Sequence, residues 1–357
     1  MLLTRYNSSK NTTQRKDMIL SIESSCDDSS LALTRIEDAK LIAHFKISQE
    51  KHHSSYGGVV PELASRLHAE NLPLLLERIK ISLNKDFSKI KAIAITNQPG
   101  LSVTLIEGLM MAKALSLSLN LPLILEDHLR GHVYSLFINE KQTRMPLSVL
   151  LVSGGHSLIL EARDYEDIKI VATSLDDSFG ESFDKVSKML DLGYPGGPIV
   201  EKLALDYAHP NEPLMFSIPL KNSPNLAFSF SGLKNAVRLE VEKNAHNLND
   251  EVKQKISYHF QSAAIEHLIQ QTKRYFKIKR PKIFGIVGGA SQNLALRKAF
   301  ENLCAEFDCK LVLAPLEFCS DNAAMIGRSS LEAYQKKRFV PLEKANISPR
   351  TLLKSFE

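Results

Sequence analysis

The stretch MILSIESSCDDSSLALTRIEDAKLIAHFKI, Met18 to Ile47, decides how the chain is read. Met18 to Ser21 is a short apolar run, and Leu31 to Thr34 and Leu41 to Ile47 are two more. Each is too short for a helix and is bounded by turn residues, so the segment predicts a three-stranded meander. Its first turn, Glu23-Ser24-Ser25-Cys26-Asp27-Asp28-Ser29-Ser30, is rich in Ser and Asp and offers hydroxyls and backbone N–H groups. Downstream, His52 to Arg66 reads as a glycine-containing loop entering a helix that runs to about Leu83. Ile90 to Thr96 is a strand ended by Gln98-Pro99-Gly100-Leu101. A helix to about Leu119 and a strand from Pro122 to Leu125 follow.

The same order then recurs. Leu147 to Val152 is a strand ended by Ser153-Gly154-Gly155-His156, and Ser157 to Ala162 and Ile168 to Ala172 are the next strands. Helices are expected over Gly180 to Leu190 and Glu251 to Phe276. Lys282 to Val287 is a strand ended by Gly288-Gly289. A helix from about Asn293, a strand from Lys310 to Ala314 and a last helix after Asp321 complete the half. A meander followed by βα units implies a mixed sheet covered by helices on both faces. Two such halves in tandem are the actin-like, sugar-kinase and Hsp70-like ATPase arrangement, an α/β fold of two lobes with a nucleotide in the cleft between them. The expected division is a disordered extension over 1–17, a first lobe over 18–145 and a second over 146–327. A helical subdomain is inserted at about 195–250, and a C-terminal segment, 328–357, packs back on the first lobe.

The 357 residues are 44% hydrophobic and 24% charged, with net charge +5. This is a soluble globular composition, compatible with a nucleic-acid partner. The four cysteines, Cys26, Cys304, Cys309 and Cys319, form no CxxC pair and read as free thiols in a reducing compartment. The most apolar window, Leu101 to Leu125, contains Glu107, Lys113, Asn120 and Pro122, which fits a buried helix and strand better than a membrane span. Residues 1–17 have no long apolar core and do not read as a secretory signal. They are read as an extension, or as a start placed upstream of Met18.

Glu126-Asp127-His128-Leu129-Arg130-Gly131-His132 carries the chemistry. Histidines four residues apart share one helix face, and two neutral imidazoles on one face can share a metal ion that a distant carboxylate completes. The competing reading is two ordinary surface histidines.

Together, IESSCDDSS, YGGVVPELASR, QPGL, DHLRGH, LLVSGGHS, DDSFGESFDKV, YPGGP, FSFSGLKNAV, VGGASQNLALR and CSDNAAMIG closely resemble the tRNA N6-adenosine threonylcarbamoyltransferases, the TsaD group, in that family's order and over nearly the whole chain. Ser24, Ser29 and Ser320 stand where threonine is usual, and Asn235 where threonine is common; no implied ligand is removed. The resemblance implies one divalent metal ion held by His128, His132 and Asp321, iron(II) favoured and zinc the alternative. It places an adenylate against Leu151, Val152, Ser153, Gly154, Gly155, Asp184, Gly197, Glu201 and Asn293. Asp184 and Gly197 would meet ribose hydroxyls, and Asn293 the adenine side. The implied reaction moves a threonylcarbamoyl group from threonylcarbamoyl-AMP to an adenosine of tRNA. The implied partners are a paralogous TsaB-type protein and a TsaE-type ATPase, in the cytoplasm and without a membrane.

Roles for Glu23, His156 and Lys234 do not follow from the sequence. Arg274, Lys277, Lys279, Arg280 and Lys282 form a basic run that would meet phosphate or simply solvent; Lys336, Lys337 and Arg338 form a second. A metal-dependent glycoprotein endopeptidase is the alternative function, but HExxH is absent, with Leu129 where its glutamate would stand. A nucleotide-binding kinase-like protein of the same fold, or a non-catalytic nucleotide-dependent scaffold, would have no use for DHLRGH with Asp321.

Overall fold

The computed structural model describes residues 17–355 except 211 and 222. The expected extension therefore lies, but for Asp17, outside the described residues. In chain order the elements are β1 (Met18–Glu23), β2 (Asp28–Arg35), β3 (Leu41–Ser48), α1 (Glu50–His53), α2 (Pro61–Ser82), β4 (Ile90–Gln98), α3 (Ser102–Leu119), β5 (Leu123–Asp127) and α4 (His128–Ser135). They continue with β6 (Leu147–Val152), β7 (Ser157–Ala162), β8 (Ile168–Thr173), α5 (Phe179–Met189), α6 (Gly196–Leu205), α7 (Ser231–Lys243), α8 (Asp250–Lys279) and β9 (Ile283–Val287). Last come α9 (Leu294–Glu306), β10 (Lys310–Leu313), α10 (Ala323–Gln335) and β11 (Lys354–Ser355). They divide into two compact units.

The first unit holds a five-stranded sheet in the order β3-β2-β1-β4-β5. β1 runs antiparallel to β2 and parallel to β4, and β4 is parallel to β5. All six residues of β1 are buried, as expected of a strand covered on both faces. Leu20 and Ile22 join Leu72, Leu75 and Ile79 of α2 and Leu109 of α3 in one core. Ser21 points the other way and donates to the Ala323 carbonyl of α10 at 2.7 Å. Among the described residues α3 is the one helix with the length and apolarity of a membrane span, at mean hydropathy 1.3. It packs here on β4 and α2.

The second unit holds a six-stranded sheet in the order β10-β9-β6-β7-β8-β11. β6, β7 and β8 form the antiparallel meander, while β6, β9 and β10 run parallel. The expected inserted subdomain at 195–250 is not separate. Val200 of α6, Leu233 and Val237 of α7, and Phe216, Phe228 and Phe230 share one core with Leu150, Phe183 and Phe260. Buried apolar side chains on both helices bind the segment to the sheet's own core.

A boundary also moves. The last helix was expected in the second lobe, which was to end at 327, yet Asp321–Leu353 groups with the first unit. The reason is a face of small residues. A Cβ at Gly327 would lie 2.4 Å from Thr34 Oγ1 and 2.8 Å from Ser21 Oγ, so glycine allows α10 to press against β1 and β2. Arg328, 1% exposed, then donates to the carbonyls of Phe137 and Glu140 beyond α4, at 3.1 and 3.0 Å. The tail continues on the same unit, where the Val340 N–H donates to Leu123 and the Ser348 N–H to Asn97. Lys354 and Ser355 then pair with β8 of the second unit. The segment His52–Gly58 likewise groups with the second unit.

Candidate metal centre and glycine-turn site

In the first unit the carboxyl ends of β1, β4 and β5 meet at the histidine helix. β5 stops at Asp127 because that side chain caps α4, accepting from the N–H groups of Leu129 and Arg130 at 2.9 and 3.2 Å. Its other oxygen accepts from Gln98 and Thr351. Asp127 is thus a cap. His128 and His132 follow one turn apart with ring centroids 4.6 Å apart. Gly131 between them lets α10 approach, since a Cβ there would meet Ile326 at 2.6 Å. Asp321, just before α10, places Oδ1 3.1 Å from His132 Nε2 and 3.5 Å from His128 Nε2. One ligand atom from each of the three lies within 4.8 Å of the others.

The surrounding charges favour a cation here. Burial works against charge on all three residues; it is outweighed at His128 and Asp321, while it keeps His132 below its ordinary value, the neutral form a metal would use. Asp321 and Glu23 raise His128 to about 9. His128, His132 and Lys46 hold the Asp321 carboxyl well below the usual carboxylate range. His128 holds Glu23 below its ordinary value. Glu23 is fully buried at the end of β1; its Oε1 accepts from the Ser25 N–H at 2.7 Å and its Oε2 from Thr96 Oγ1 at 2.6 Å. The same Oε2 lies 3.3 Å from His128 Nδ1, beside Ser25 Oγ at 3.2 Å. With Nδ1 turned to Glu23, Nε2 is the His128 atom directed at Asp321, and a metal would take the place of its proton. Two imidazoles and a carboxylate, one imidazole oriented by an outer carboxylate, fit a divalent transition metal; iron(II) and zinc both suit the donors.

In the second unit the carboxyl ends of β6 and β9 carry backbone instead. Ser153 Oγ folds the turn after β6, accepting from the N–H groups of Gly155 and His156 at 3.3 and 3.1 Å. Gly288, at φ +93°, abuts it, and a Cβ there would lie 2.2 Å from the Val152 carbonyl. α5 starts under this turn, with Gly180 N–H on the Ser153 carbonyl and Ser178 Oγ on that of Gly154. By contrast a Cβ on Gly154, Gly155 or Gly197 would meet nothing within 4 Å. Asp184 Oδ1 accepts from the Gly196 N–H at 2.7 Å, and Glu201 Oε1 from the Leu294 N–H at 2.7 Å. Burial raises the Glu201 carboxyl, opposed by that N–H. Leu151 and Val152 are fully buried in β6. Asn293 is engaged within the chain. Its Oδ1 caps α9 on the Leu296 N–H at 2.8 Å, and its Nδ2 donates to Gln261 at 2.7 Å.

Hydrogen bonds thus link the turn after β6 to the start of α5, Asp184 to α6, and Glu201 to the start of α9, all in one unit. Ligands of open α/β sheets bind in this region, outside the carboxyl ends of the strands. Lys234 is a brace: its ammonium and that of Lys185 bind Asp177. Asp176 alongside accepts from Ser229, Phe230 and Ser231 at the start of α7. The sequence reading missed what Glu23 does, because only the fold brings it to His128. It also missed the Lys46 ammonium, bound to Asp28 and to the Asp321 carbonyl. Asp28 is pushed up to about 7 by burial, against the pull of Lys46.

Comparison with known proteins converges on one family. The family model for tRNA N6-adenosine threonylcarbamoyltransferase, TsaD, matches residues 40–328, which includes every proposed ligand of both units. A Helicobacter pylori (strain J99) protein named tRNA N6-adenosine threonylcarbamoyltransferase is 97% identical over 340 residues, 95% of this chain and 100% of that protein. One of the same name from Nitratiruptor sp. is 60% identical over 334 residues, 94% of this chain and 99% of its own. Among solved structures, the activator of 2-hydroxyisocaproyl-CoA dehydratase from Clostridium difficile, with bound ADPNP, is 11% identical, with TM-score 0.52 over 93% of this chain and 99% of that one. That likeness shows the duplicated actin-like α/β fold. With the match running through both sheets and both strand-end sites, the chain belongs to the tRNA N6-adenosine threonylcarbamoyltransferase family.

Proposed function

We propose that this chain transfers the threonylcarbamoyl group of threonylcarbamoyl-AMP to the exocyclic amine of the adenosine 3′ of the anticodon, in tRNAs reading codons that start with A. A new N–C bond forms at the carbamoyl carbon, the C–O bond to phosphate breaks, the amine gives up a proton, and AMP leaves. The observation that carries this is the convergence of His128, His132 and Asp321 within 4.8 Å, in a chain whose 97% identical relative bears the transferase name. A divalent metal bound there, iron(II) in preference to zinc, would supply Lewis-acid polarisation of the carbamoyl carbonyl. His128 and His132 hold the nitrogen donors on one helix face, Asp321 adds the oxygen, and Glu23 keeps the Nδ1 side of His128 occupied. The glycine turn Ser153-Gly154-Gly155 offers backbone to the phosphate, and Asp184, Gly197 and Glu201 line the way to the sugar. An adenosine amine is a weak nucleophile, so orientation of both reactants supplies much of the rate.

The apolar positions of α2 and α3 support a protein partner. Leu74 and Ile81 of α2, and Val103, Ile106, Met110 and Leu117 of α3, are exposed on the first unit. We read this face as the seat of a paralogous TsaB-type protein, with a TsaE-type ATPase completing a cytoplasmic assembly that needs no membrane. The test incubates metal-loaded chain and its partners with threonylcarbamoyl-AMP and unmodified tRNA, then digests the tRNA and weighs the nucleosides. The threonylcarbamoylated nucleoside is expected together with AMP. Its absence, accompanied by metal-dependent cleavage of a sialoglycoprotein, would overturn the transferase reading in favour of a peptidase.

A further inference from the structure

The basic run at the end of α8 separates into two groups on the fold. The Arg274 guanidinium is committed to the carbonyls of Ser223 and Lys221, at 2.6 and 2.8 Å. Lys279 lies 3.4 Å from Glu161, and Lys273 lies 2.6 Å from Glu306. Lys277, Arg280 and Lys282 are exposed and have no ion pair among the described residues, and the fold adds a fourth such cation, Lys310. Lys277 is in the last turn of α8 and Arg280 is its C-cap at φ +48°. Lys282 leads into β9, and its carbonyl accepts from the N–H of Lys310 at 2.9 Å as parallel β10 begins. All four therefore sit at one corner, at the amino ends of β9 and β10. Asp308 stands in the turn before β10, while Glu161 and Glu306 are taken up by Lys279 and Lys273.

Compensation of the α8 dipole accounts for Lys277 and Arg280. It does not account for Lys282 and Lys310, which flank strands. The corner is also at the opposite end of β9 from Gly288, about 17 Å away for a five-residue strand. A small adenylate held at the glycine turn does not reach it, whereas a polyanion with regularly spaced phosphates does. We propose that Lys277, Arg280, Lys282 and Lys310 form a phosphate-contact surface for the tRNA acceptor. It is remote from the chemistry and contributes affinity and orientation without reading bases. This rests on the tRNA reading above.

The test measures binding of an unmodified tRNA transcript to the full chain between about 50 and 200 mM salt. The proteins compared are wild type, a quadruple variant (Lys277→Gln, Arg280→Asn, Lys282→Gln, Lys310→Gln) and a control (Lys336→Gln, Lys337→Gln). Asn suits the left-handed conformation at 280. With unfolding midpoints unchanged, the quadruple variant should bind at least about tenfold more weakly at the lower salt. Its slope of log affinity against log salt should fall by about 3, at about 0.7–0.9 per phosphate contact. The control should keep the wild-type slope. Wild-type affinity and slope in the quadruple variant would overturn the corner and leave the transferase reading standing. Equal loss per charge in the control would overturn it in favour of net charge alone. Loss of binding to phosphatidylglycerol vesicles with tRNA binding intact would overturn it in favour of a lipid surface. No tRNA binding by the wild type at any salt would overturn both the corner and the reading it rests on.

Discussion

The two units place different chemistry at the same address. Each has an antiparallel meander whose first strand continues into parallel neighbours, and each gathers its candidate ligands at the carboxyl ends of those strands. In the first unit these ends release Glu23, Asp127 and His128, ionisable groups in nearly complete burial. In the second they release Ser153-Gly154-Gly155 and Gly288, where backbone dominates. The topology sets where a ligand is met; the first residues after each strand set whether it is met by charge or by peptide groups.

The sharpest way to break this contrast is to remove one ligand set and watch the other. Asp321→Asn or His132→Ala should strip the metal and reduce transfer by about 10³-fold or more, since loss of Lewis-acid stabilisation costs several kcal/mol. AMP binding by the second unit should persist. Full metal occupancy in a His128→Ala, His132→Ala double variant would end the assignment.

The glycines of the second unit sharpen it next. Gly288→Ala forces a Cβ to 2.2 Å from the Val152 carbonyl at φ +93° and should lower stability by about 3 kcal/mol. Gly154→Ala and Gly197→Ala meet no chain atom within 4 Å, so unfolding should be unchanged while AMP affinity drops about tenfold or more. Equilibrium dialysis beside a thermal melt separates the two classes. Unaltered AMP binding in both open-space variants would mean that no ligand approaches there.

Glu23→Gln should weaken metal affinity by about 10–100-fold without changing AMP binding. Competition against a chelator reads this directly, and wild-type affinity would show that Glu23 does not orient His128.

A last effect is acid sensitivity at His267 of the second unit. Burial lowers His267 to about 4, with Asp176 opposing and Arg274 adding to the shift, and its Nε2 accepts from the Ser229 N–H at 3.1 Å. The folded state disfavours the charged form. Stability is therefore full above the unfolded value near 6.5 and declines as pH falls towards 4, by at most about 3 kcal/mol. His267→Gln should flatten that dependence in denaturant titrations at pH 7 and 5. An unchanged slope would place the acid response elsewhere.

The sequence made much of this visible because local patterns report local structure. Short apolar runs ended by Ser-Gly-Gly or Gly-Gly marked β6 and β9 with their turns, and the i, i+4 histidines marked one helix face. The residues it left dark act across distance in the chain. Glu23 reaches His128 over 105 positions and Arg328 reaches Phe137 over 191. No periodicity records such a meeting. Asn293 also has a local role that went unread: an asparagine opening a helix is an N-cap, and its Oδ1 holds the Leu296 N–H. Asn293→Ala would remove that cap, at about 1 kcal/mol, so it is a poor probe of donor binding. The α10 boundary followed its strand in sequence, but its glycine and serine face fitted the other sheet.

That crossing gives the protein an order of assembly. Asp321 is translated 189 residues after His132, after β10 of the second unit. At roughly 5–20 residues per second, the nascent chain spends about ten seconds or more with two imidazoles and no acid to complete them. The metal centre is therefore a late product of synthesis, closed only when a ribosome has passed residue 321. A fragment cut short anywhere before that codon, even one with both histidines and the entire glycine turn, carries no complete ligand set.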